Sequence, residues 1–236
     1  MKIIVLTINP YKEKDAIITA ISQSETITFL ARGIKDPKSK NAPLNNPLVI
    51  ADIELMDGDF KYPILKSSKE LFTPLKLNMD SPYLGTLLLM NEMLLHLFPD
   101  EEKAAMFSCL EEGIVELKKS HDWLMVLLIY MAETMRIGGF ALEVNRCVLC
   151  NKKNRIVAFS FIDGGFICEN CANEETERDL SKDQMILLRS IFNSRDYHLV
   201  QSSYKKEDAI TLLYKFIDFI QEAFGYRLKN TRLILD

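Results

Sequence analysis

The stretch CVLCNKKNRIVAFSFIDGGFICENC, residues 147–171, holds four of the five cysteines of the chain as two Cys-x-x-Cys pairs separated by seventeen residues. This spacing is typical of a zinc site made by four thiolates. Two tight turns joined by a hairpin can bring the sulfur atoms to the ~2.3 Å Zn–S distance of a closed tetrahedron, which leaves no position for a catalytic water. We therefore predict a structural four-cysteine zinc knuckle at about 145–175, with the ligands Cys147, Cys150, Cys168 and Cys171.

The residues between the pairs favour a hairpin. Apolar strands are predicted at 159–162 and 165–167, joined at Asp163-Gly164, a dipeptide that tolerates the positive φ angles of hairpin turns. Two alternatives stay open for the cysteines. A pair of disulfides requires an exported protein, and a redox Cys-x-x-Cys of the thioredoxin kind requires only one pair. Cys109 lies in an apolar stretch and is interpreted as a small buried hydrophobic residue.

The composition is that of a soluble globular protein. The chain has 236 residues, of which 48% are hydrophobic and 26% charged, so it can form two modest domains. Its first residues are strand-like and lack the pattern of a signal peptide, from which we expect a cytoplasmic protein. The longest apolar run, residues 123–132, is about half the ~20 residues of a membrane span and predicts a buried helix.

Net charge limits how the chain can bind nucleic acid. A formal charge of −4 does not favour indiscriminate coating of a polyanion, so any such binding requires local basic patches. A solvated protein face is the alternative interpretation of each patch. Two candidates stand out: Arg32, Lys35, Lys38 and Lys40 in the first, and Arg227, Lys229 and Arg232 in the second.

Hydrophobic periodicity changes near residue 79. Before it, strands are predicted at 2–8, 16–21, 26–32, 48–56 and 60–65, which suggests a small barrel or sandwich. After it, helices are predicted at about 81–98, 100–119, 122–137, 182–193 and 207–224, with caps such as Asp80, the Ser181–Gln184 capping box and Gly225. The predicted fold class is α+β multidomain: a β-barrel domain over 1–78 and a mostly α-helical domain over 79–236, into which the zinc knuckle is inserted.

The motifs of common enzyme classes are missing from the sequence. His96, His121 and His198 lie far apart, and none belongs to a zinc-hydrolase or deaminase motif. The phosphate-binding loop, the dinucleotide fingerprint and the nucleophile elbow are also absent. We therefore predict that the protein is not an enzyme, and an unrecognised hydrolase stays a minor alternative.

Several short stretches, taken in order, resemble the RecO family of bacterial DNA repair and recombination proteins over essentially the whole chain. The order of the matches carries the resemblance more than any one of them. They are Ile4-Val5-Leu6, Pro10-Tyr11-x-Glu13-x-Asp15, the ARGIKDPKSK of 31–40, Gly138-Gly139-Phe140 before Arg146-Cys147, Phe159-Ser160 through Gly164-Gly165 to the second cysteine pair, and the GYRLK of 225–229.

The resemblance implies an N-terminal OB-fold and a nucleoid-associated recombination mediator without catalytic activity. Such a protein binds single- and double-stranded DNA, anneals complementary strands and works with RecR and single-stranded-DNA-binding protein to load RecA. The basic loop of this chain departs from the family in having more lysine than arginine, which predicts point-charge rather than bidentate phosphate contacts.

Aromatic side chains near the basic loop are candidate stacking platforms for single strands: Tyr11, Phe29, Phe60 and Tyr62. The alternation of Phe29 with Ile27 and Ala31 indicates core packing for that residue, and core packing is also open for Phe60 and Tyr62. A further functional hypothesis is a zinc-ribbon adaptor that binds other proteins and never contacts DNA.

Overall fold

The computed structural model describes residues 1–56, 58, 61–74, 80–176, 178, 180–194, 196–201 and 203–235. Its first part is a closed, OB-like barrel in which the strands follow the order β1-β2-β3-β5-β4 and β4 returns to β1. All pairs are antiparallel except β3 with β5. The strands are β1 (Lys2–Tyr11), β2 (Asp15–Ile21), β3 (Thr26–Ala31), β4 (Ile50–Met56) and β5 (Ile64–Phe72).

Alternation of apolar side chains fills the barrel. Phe29 and Ala31 of β3 and Ala51 and Ile53 of β4 are buried in one core cluster. Ile27 is half-buried and packs against that cluster. The predicted inward face of β3 is thereby confirmed, because residues two apart on a strand share a face.

The fifth strand lies later in the chain than predicted. Periodicity placed it at 60–65, whereas β5 begins at Ile64 and continues to Phe72. Its second half, Lys66-Ser67-Ser68-Lys69-Glu70, is largely exposed and has little apolar content, so hydrophobic periodicity could not detect it. Pairing with β4 holds this polar stretch in the sheet. Asp57, Asp59 and Phe60, between β4 and β5, lie outside the described residues.

Two helices pack on the barrel. Helix α1 (Ser81–Leu97) is capped by Asp80, as predicted, and the Asp80 carboxylate accepts the Tyr83 N–H. Helix α2 (Phe107–Ser120) begins later than the predicted Asp100, because a 3₁₀ turn at Lys103–Met106 precedes it. The Asn91 side-chain amide donates to the Leu6 carbonyl of β1 at 3.2 Å and ties α1 to the barrel.

The second helical group surrounds a helix that is apolar over most of its length. Helix α3 (Trp123–Ile137) is buried throughout residues 124–132, which confirms the predicted central helix. Around it pack α4 (Lys182–Asn193), which has the predicted capping box, and α5 (Lys206–Phe224), which ends at Gly225 with a positive φ of 64°. The rings of Phe192 and Phe216 meet edge to face at 5.7 Å between α4 and α5.

The cysteine module is a three-stranded sheet rather than the predicted simple hairpin. Strand β6 (Glu143–Cys147) pairs with β8 (Gly165–Cys168), and β8 pairs with β7 (Ile156–Ser160). The turn at 161–164 has four residues, and only Gly164 adopts positive φ. Gly165 is required for the β6 contact, because a Cβ atom there would lie 2.6 Å from the Glu143 carbonyl oxygen.

Contacts divide the chain into two compact units. The first comprises residues 1–118 and 229–236, and the second residues 119–228. The predicted limits of 1–78 and 79–236 divide the sequence differently and stay a prediction. A short helix that was not predicted, α6 (Arg232–Leu235), packs against α1 in the first unit. Within the described ranges, the helices are too short or too polar to cross a membrane.

Candidate nucleic-acid interface and metal centre

A groove of about 300 Å³ lies on the outside of the barrel, where the ends of several strands meet. Ile17 of β2 and Leu30 of β3 are cross-strand partners on its floor. Both face outward, because the residues on either side of each belong to the core. Ile64 pairs with Leu30, and the Leu30 N–H donates to the Pro63 carbonyl at 2.9 Å. These bonds fix the chain before β5 beside β3.

Two tyrosines and two cations complete the groove. Tyr11 ends β1, whereas Lys61 and Tyr62 precede β5 and Arg32 follows β3. Tyr11 is 41% exposed and Tyr62 is half-buried. The Lys61 ammonium lies 5.5 Å from the centroid of the Tyr62 ring. An apolar floor with aromatic and cationic walls suits a base that stacks while its phosphate is neutralised.

Of the four candidate stacking residues, Tyr11 and Tyr62 line the groove in the part of the chain that the structure describes. Phe29 has no exposed surface and belongs to the barrel core, so it cannot stack on a base. Phe60 lies outside the described residues. Tyr11 and Tyr62 line one groove and are the two that the structure brings together.

The predicted basic loop, residues 32–40, is a series of turns attached to the connection between β1 and β2. The Gly33 N–H donates to the Asp15 carboxylate at 2.8 Å, and the Lys35 N–H donates to the Lys14 carbonyl at 3.1 Å. Gly33 has a φ of 63°, which glycine adopts at little cost. The side chains of Arg32, Lys38 and Lys40 are exposed and that of Lys35 is half-buried.

Asp36, the one carboxylate within this loop, is engaged locally. Its side chain accepts the Lys38 N–H at 3.0 Å and lies 3.5 Å from the Lys14 ammonium. The Lys38 hydrogen bond, aided by the Lys14 charge, holds the pKa of Asp36 below its ordinary value. Asp36 therefore orders the loop more than it opposes the cations around it.

Three further cations of the barrel come from segments outside the loop. Lys12 and Lys14 lie in the turn before β2, and Lys61 lies in the groove. Sequence inspection missed them because they are separated along the chain, although each tyrosine of the groove has a lysine next to it. The Lys12 ammonium also lies 5.5 Å from the centroid of the Tyr11 ring. We call the set the barrel basic surface: Lys12, Lys14, Arg32, Lys35, Lys38, Lys40 and Lys61.

The C-terminal basic cluster is divided between the two units, since Arg227 belongs to the second and Lys229 and Arg232 to the first. Arg227, Lys229 and Arg232 are all exposed. Lys229 and Asn230, within the first unit, are held by Glu92 of α1, which is 5% exposed. Its carboxylate accepts the Lys229 N–H at 2.7 Å and the Asn230 N–H at 2.9 Å.

The four predicted cysteine ligands come together in the second unit. The sulfur atoms of Cys147, Cys150, Cys168 and Cys171 all lie within 4.8 Å of one another, and those of Cys150 and Cys168 are 3.5 Å apart. A tetrahedral site with Zn–S bonds of ~2.3 Å has sulfur separations of ~3.8 Å, within this range. The four thiols can therefore hold a metal ion, and soft sulfur donors suit zinc.

The protein environment differentiates the thiols. Burial alone would raise the pKa of Cys147, but the backbone N–H groups of Cys168, Cys150 and Leu149 stabilise its thiolate and lower the pKa to about 6. Hydrogen bonds with Cys150 and Cys168 instead raise the pKa of Cys171 to about 12. The environment thus favours the thiolate form of Cys147, and a bound divalent ion would stabilise all four sulfurs as thiolates.

The alternatives for the cysteines fit this arrangement less well. All four are free thiols, and both Cys-x-x-Cys pairs contribute to a single cluster, whereas a thioredoxin-like site uses one pair. Among the described residues, no second group of three or more His, Cys, Asp or Glu side chains is close enough to hold a metal. Cys109 is half-buried and does not belong to the cluster.

The fold and the two candidate sites define the class of protein. It combines an OB-like barrel that has a cationic aromatic groove with a helical unit into which a four-cysteine knuckle is inserted. Residues 1–67 match the model of the N-terminal domain of recombination protein O, and residues 80–229 match that of its C-terminal domain. The chain belongs to the RecO family of DNA repair proteins.

Individual relatives are similar in sequence to this chain over most of their length. The chain is 25% identical to the DNA repair protein RecO of Bacillus subtilis (strain 168) over 235 residues, which cover 98% of this chain and 91% of the relative. It is 24% identical to that of Streptococcus pneumoniae (strain Hungary19A-6) over 204 residues, covering 84% and 78%. It is 25% identical to that of Bacillus pumilus (strain SAFR-032) over 175 residues, covering 73% and 68%.

Proposed function

We propose that this protein is a recombinational repair mediator without enzymatic activity, which binds single- and double-stranded DNA and anneals complementary strands. The observation that carries the proposal is the barrel groove, where Tyr11 and Tyr62 stand beside Arg32 and Lys61 over an apolar floor. Family membership supports the same function, because the relatives are DNA repair proteins.

Binding in this scheme is electrostatic and independent of base order. Cations of the barrel basic surface neutralise phosphates and release counterions, so affinity falls steeply as salt rises. Lysine predominates over arginine there, which favours point-charge contacts that tolerate different backbone geometries. The two tyrosines add a preference for single strands, since unpaired bases can stack on them.

Annealing requires that two strands approach while their bases remain free to pair. The basic loop and the C-terminal residues Arg227, Lys229 and Arg232 provide the cations that would screen the repulsion between strands. No nucleotide hydrolysis is needed for this step. Through its family, the protein is proposed to act with RecR and single-stranded-DNA-binding protein in loading RecA, in the cytoplasm and at the nucleoid.

The cysteine cluster is proposed to bind one Zn²⁺ in a structural role. Four thiolates fill a tetrahedral site, so the ion supplies folding energy to the module and has no position for substrate. The side chains of Cys147, Cys150, Cys168 and Cys171 would hold it.

The proposal is tested by measuring DNA binding and annealing without ATP. Reversing Lys35, Lys38 and Lys40 to glutamate is expected to weaken binding of every sequence. The slope of log K against log salt should decrease by roughly 0.7 per lost contact on single strands and 0.9 on duplex. Annealing should slow more than the binding of one strand, because two strands must be screened together.

The control is Lys182→Glu/Lys206→Glu, which reverses two exposed lysines in the first turns of α4 and α5. It should retain wild-type binding and annealing. If the wild-type protein bound no DNA, or if strands annealed at the protein-free rate, the adaptor hypothesis would replace this one. An unchanged salt slope in the triple variant would show that DNA follows another surface.

A further inference from the structure

The loop between Cys150 and β7, residues 151–155, is a basic segment outside the two predicted patches. Its sequence Asn-Lys-Lys-Asn-Arg has three cations in five residues, and every side chain is exposed. Glu174 and Glu175, the acidic residues soon after Cys171 that the structure describes, do not line the cavity beside the loop. We call residues 151–155 the knuckle loop.

A polar cavity of about 410 Å³ opens beside the knuckle loop. Lys152 and Arg155 can donate hydrogen bonds and carry positive charge, and the amides of Asn154 and Asn170 can donate as well. One carboxylate is close, that of Glu169, which lies 3.4 Å from the Arg155 guanidinium. Both side chains of that pair are more than half exposed, so the pair is weak and Arg155 can exchange it for an anion.

The cysteine cluster fixes the shape of this loop. The Cys147 N–H donates to the Lys152 carbonyl at 2.7 Å, and the Asn151 N–H donates to the Cys147 carbonyl at 2.8 Å. At the far end, the Glu169 N–H donates to the Arg155 carbonyl at 2.8 Å. Asn151 and Arg155 adopt positive φ angles of 62° and 54°, a conformation that costs energy outside glycine and must be held by its surroundings. The cations are therefore presented in a set geometry.

Two roles compete for these cations. Four thiolates and one divalent ion carry a net charge of −2, which nearby lysines and arginines can offset. However, Lys152 and Lys153 are exposed and extend the positive charge of the cavity into solvent. Exposed cations that are neighbours in sequence suit the successive phosphates of a polymer. To offset the charge of the thiolate cluster, the cations would need to lie against it and not in solvent.

We propose that the knuckle loop and its cavity bind phosphates of a nucleic-acid backbone, as a third contact in addition to the two predicted patches. The inference rests on the proposed function, since it assumes that the protein binds DNA. Backbone phosphates and free inorganic phosphate share the relevant chemistry, and the experiment separates them.

The test compares Lys152→Gln/Lys153→Gln with Lys182→Gln/Lys206→Gln, a matched pair of exposed lysines in the same unit. Binding of single-stranded and duplex DNA is titrated between about 50 and 200 mM salt. The knuckle variant is expected to lower the slope of log K against log salt by about 1.4 on single strands and about 1.8 on duplex. The matched pair should keep the wild-type slope, and both variants should keep the wild-type zinc content and melting temperature.

Each of the following results would contradict either this inference or the proposed function. An unchanged slope in the knuckle variant, with the slope still reduced by the Lys35, Lys38 and Lys40 reversals, would overturn this inference and leave the proposed function intact. Reduced zinc retention with an unchanged slope would assign the lysines to the thiolates and overturn it as well. Competition by inorganic phosphate beyond that of chloride at equal ionic strength would overturn the assignment to a polymer. Wild-type protein that bound no DNA would instead remove the proposed function.

Discussion

Replacing Tyr62 by alanine separates base stacking from charge in the barrel groove. The side chain is half-buried, lines the groove with Tyr11, and adds a ring rather than a cation to it. If one base stacks on its ring, the loss is ~1–3 kcal/mol, which raises the Kd for single-stranded DNA about 5- to 150-fold. The slope of log K against log salt should stay at its wild-type value, because no phosphate contact is removed.

Two companion variants give the expected contrast. Tyr62→Phe keeps the ring and should hold the Kd within about twofold of wild type. Arg32→Gln removes a cation from the same groove and should lower the single-strand salt slope by about 0.7 while leaving stacking in place. Duplex binding should change little in the alanine variant, since paired bases are not available to the ring.

The assay is a salt titration of fluorescently labelled oligonucleotides, single-stranded and duplex, with thermal melting to confirm that each variant folds. Three results would refute base stacking on Tyr62: equal losses on single strands and duplex in Tyr62→Ala, a reduced salt slope in that variant, or a phenylalanine variant as weak as the alanine variant. Any of these outcomes would assign Tyr62 to the structure of the barrel instead of to base contact.

Three further predictions concern stability. Cys168→Ser should lose bound zinc, measured by metal analysis, and melt at lower temperature because metal binding at a closed thiolate site contributes folding energy, whereas Cys109→Ser, outside the cluster, should retain the metal. Glu92→Gln should speed hydrogen exchange of the Lys229 and Asn230 amides about 10- to 150-fold, since a hydrogen bond to a charged group contributes ~1.5–3 kcal/mol. Glu174→Gln, on an exposed residue, is the control, and unchanged exchange in Glu92→Gln would contradict the assignment. Tyr204→Phe should lower the free energy of unfolding by ~1.5–3 kcal/mol through loss of the 2.7 Å bond to Asp122, with exposed Tyr214→Phe nearly neutral. Burial, aided by Asp122, raises the pKa of Tyr204 in the folded state. The stabilisation is therefore complete below the unfolded pKa of ~10 and is lost as pH rises through the folded value. In a series of melting curves at alkaline pH, the melting temperature should fall more steeply for wild type than for Tyr204→Phe.

Local chemistry explains which parts of the fold were predictable. The Asp80 cap, the Ser181–Gln184 capping box and the Gly225 terminus each depend on residues a few positions apart, and all three are present in the structure. The cysteine cluster was also predictable, because a metal site made of two short motifs has a recognisable spacing. In each case, the signal that forms the structure is contained in a short stretch of sequence.

Tertiary pairing explains what was missed. The exposed half of β5 has no apolar face and exists as a strand because β4 hydrogen-bonds to it. The groove brings Tyr11 next to Tyr62 through the closure of the barrel, which places residues about fifty positions apart on one surface. Helix α6 has four residues and depends on contact with α1, where a Cβ on Gly85 would meet the Ile234 side chain at 2.8 Å. No periodicity within these segments could have indicated such contacts.

The negative net charge of the chain is compatible with cationic surfaces because carboxylates hold those surfaces in place. Asp15 accepts the Gly33 N–H and Asp36 accepts the Lys38 N–H, so two acids fold the loop that carries Arg32 to Lys40. Glu92 does the same for the segment with Lys229. The N–H groups that a carboxylate accepts partly offset its negative charge, whereas the exposed ammonium groups face solvent. Net charge therefore underestimates the attraction of these segments for a polyanion, and the arrangement of the acids determines where the attraction lies.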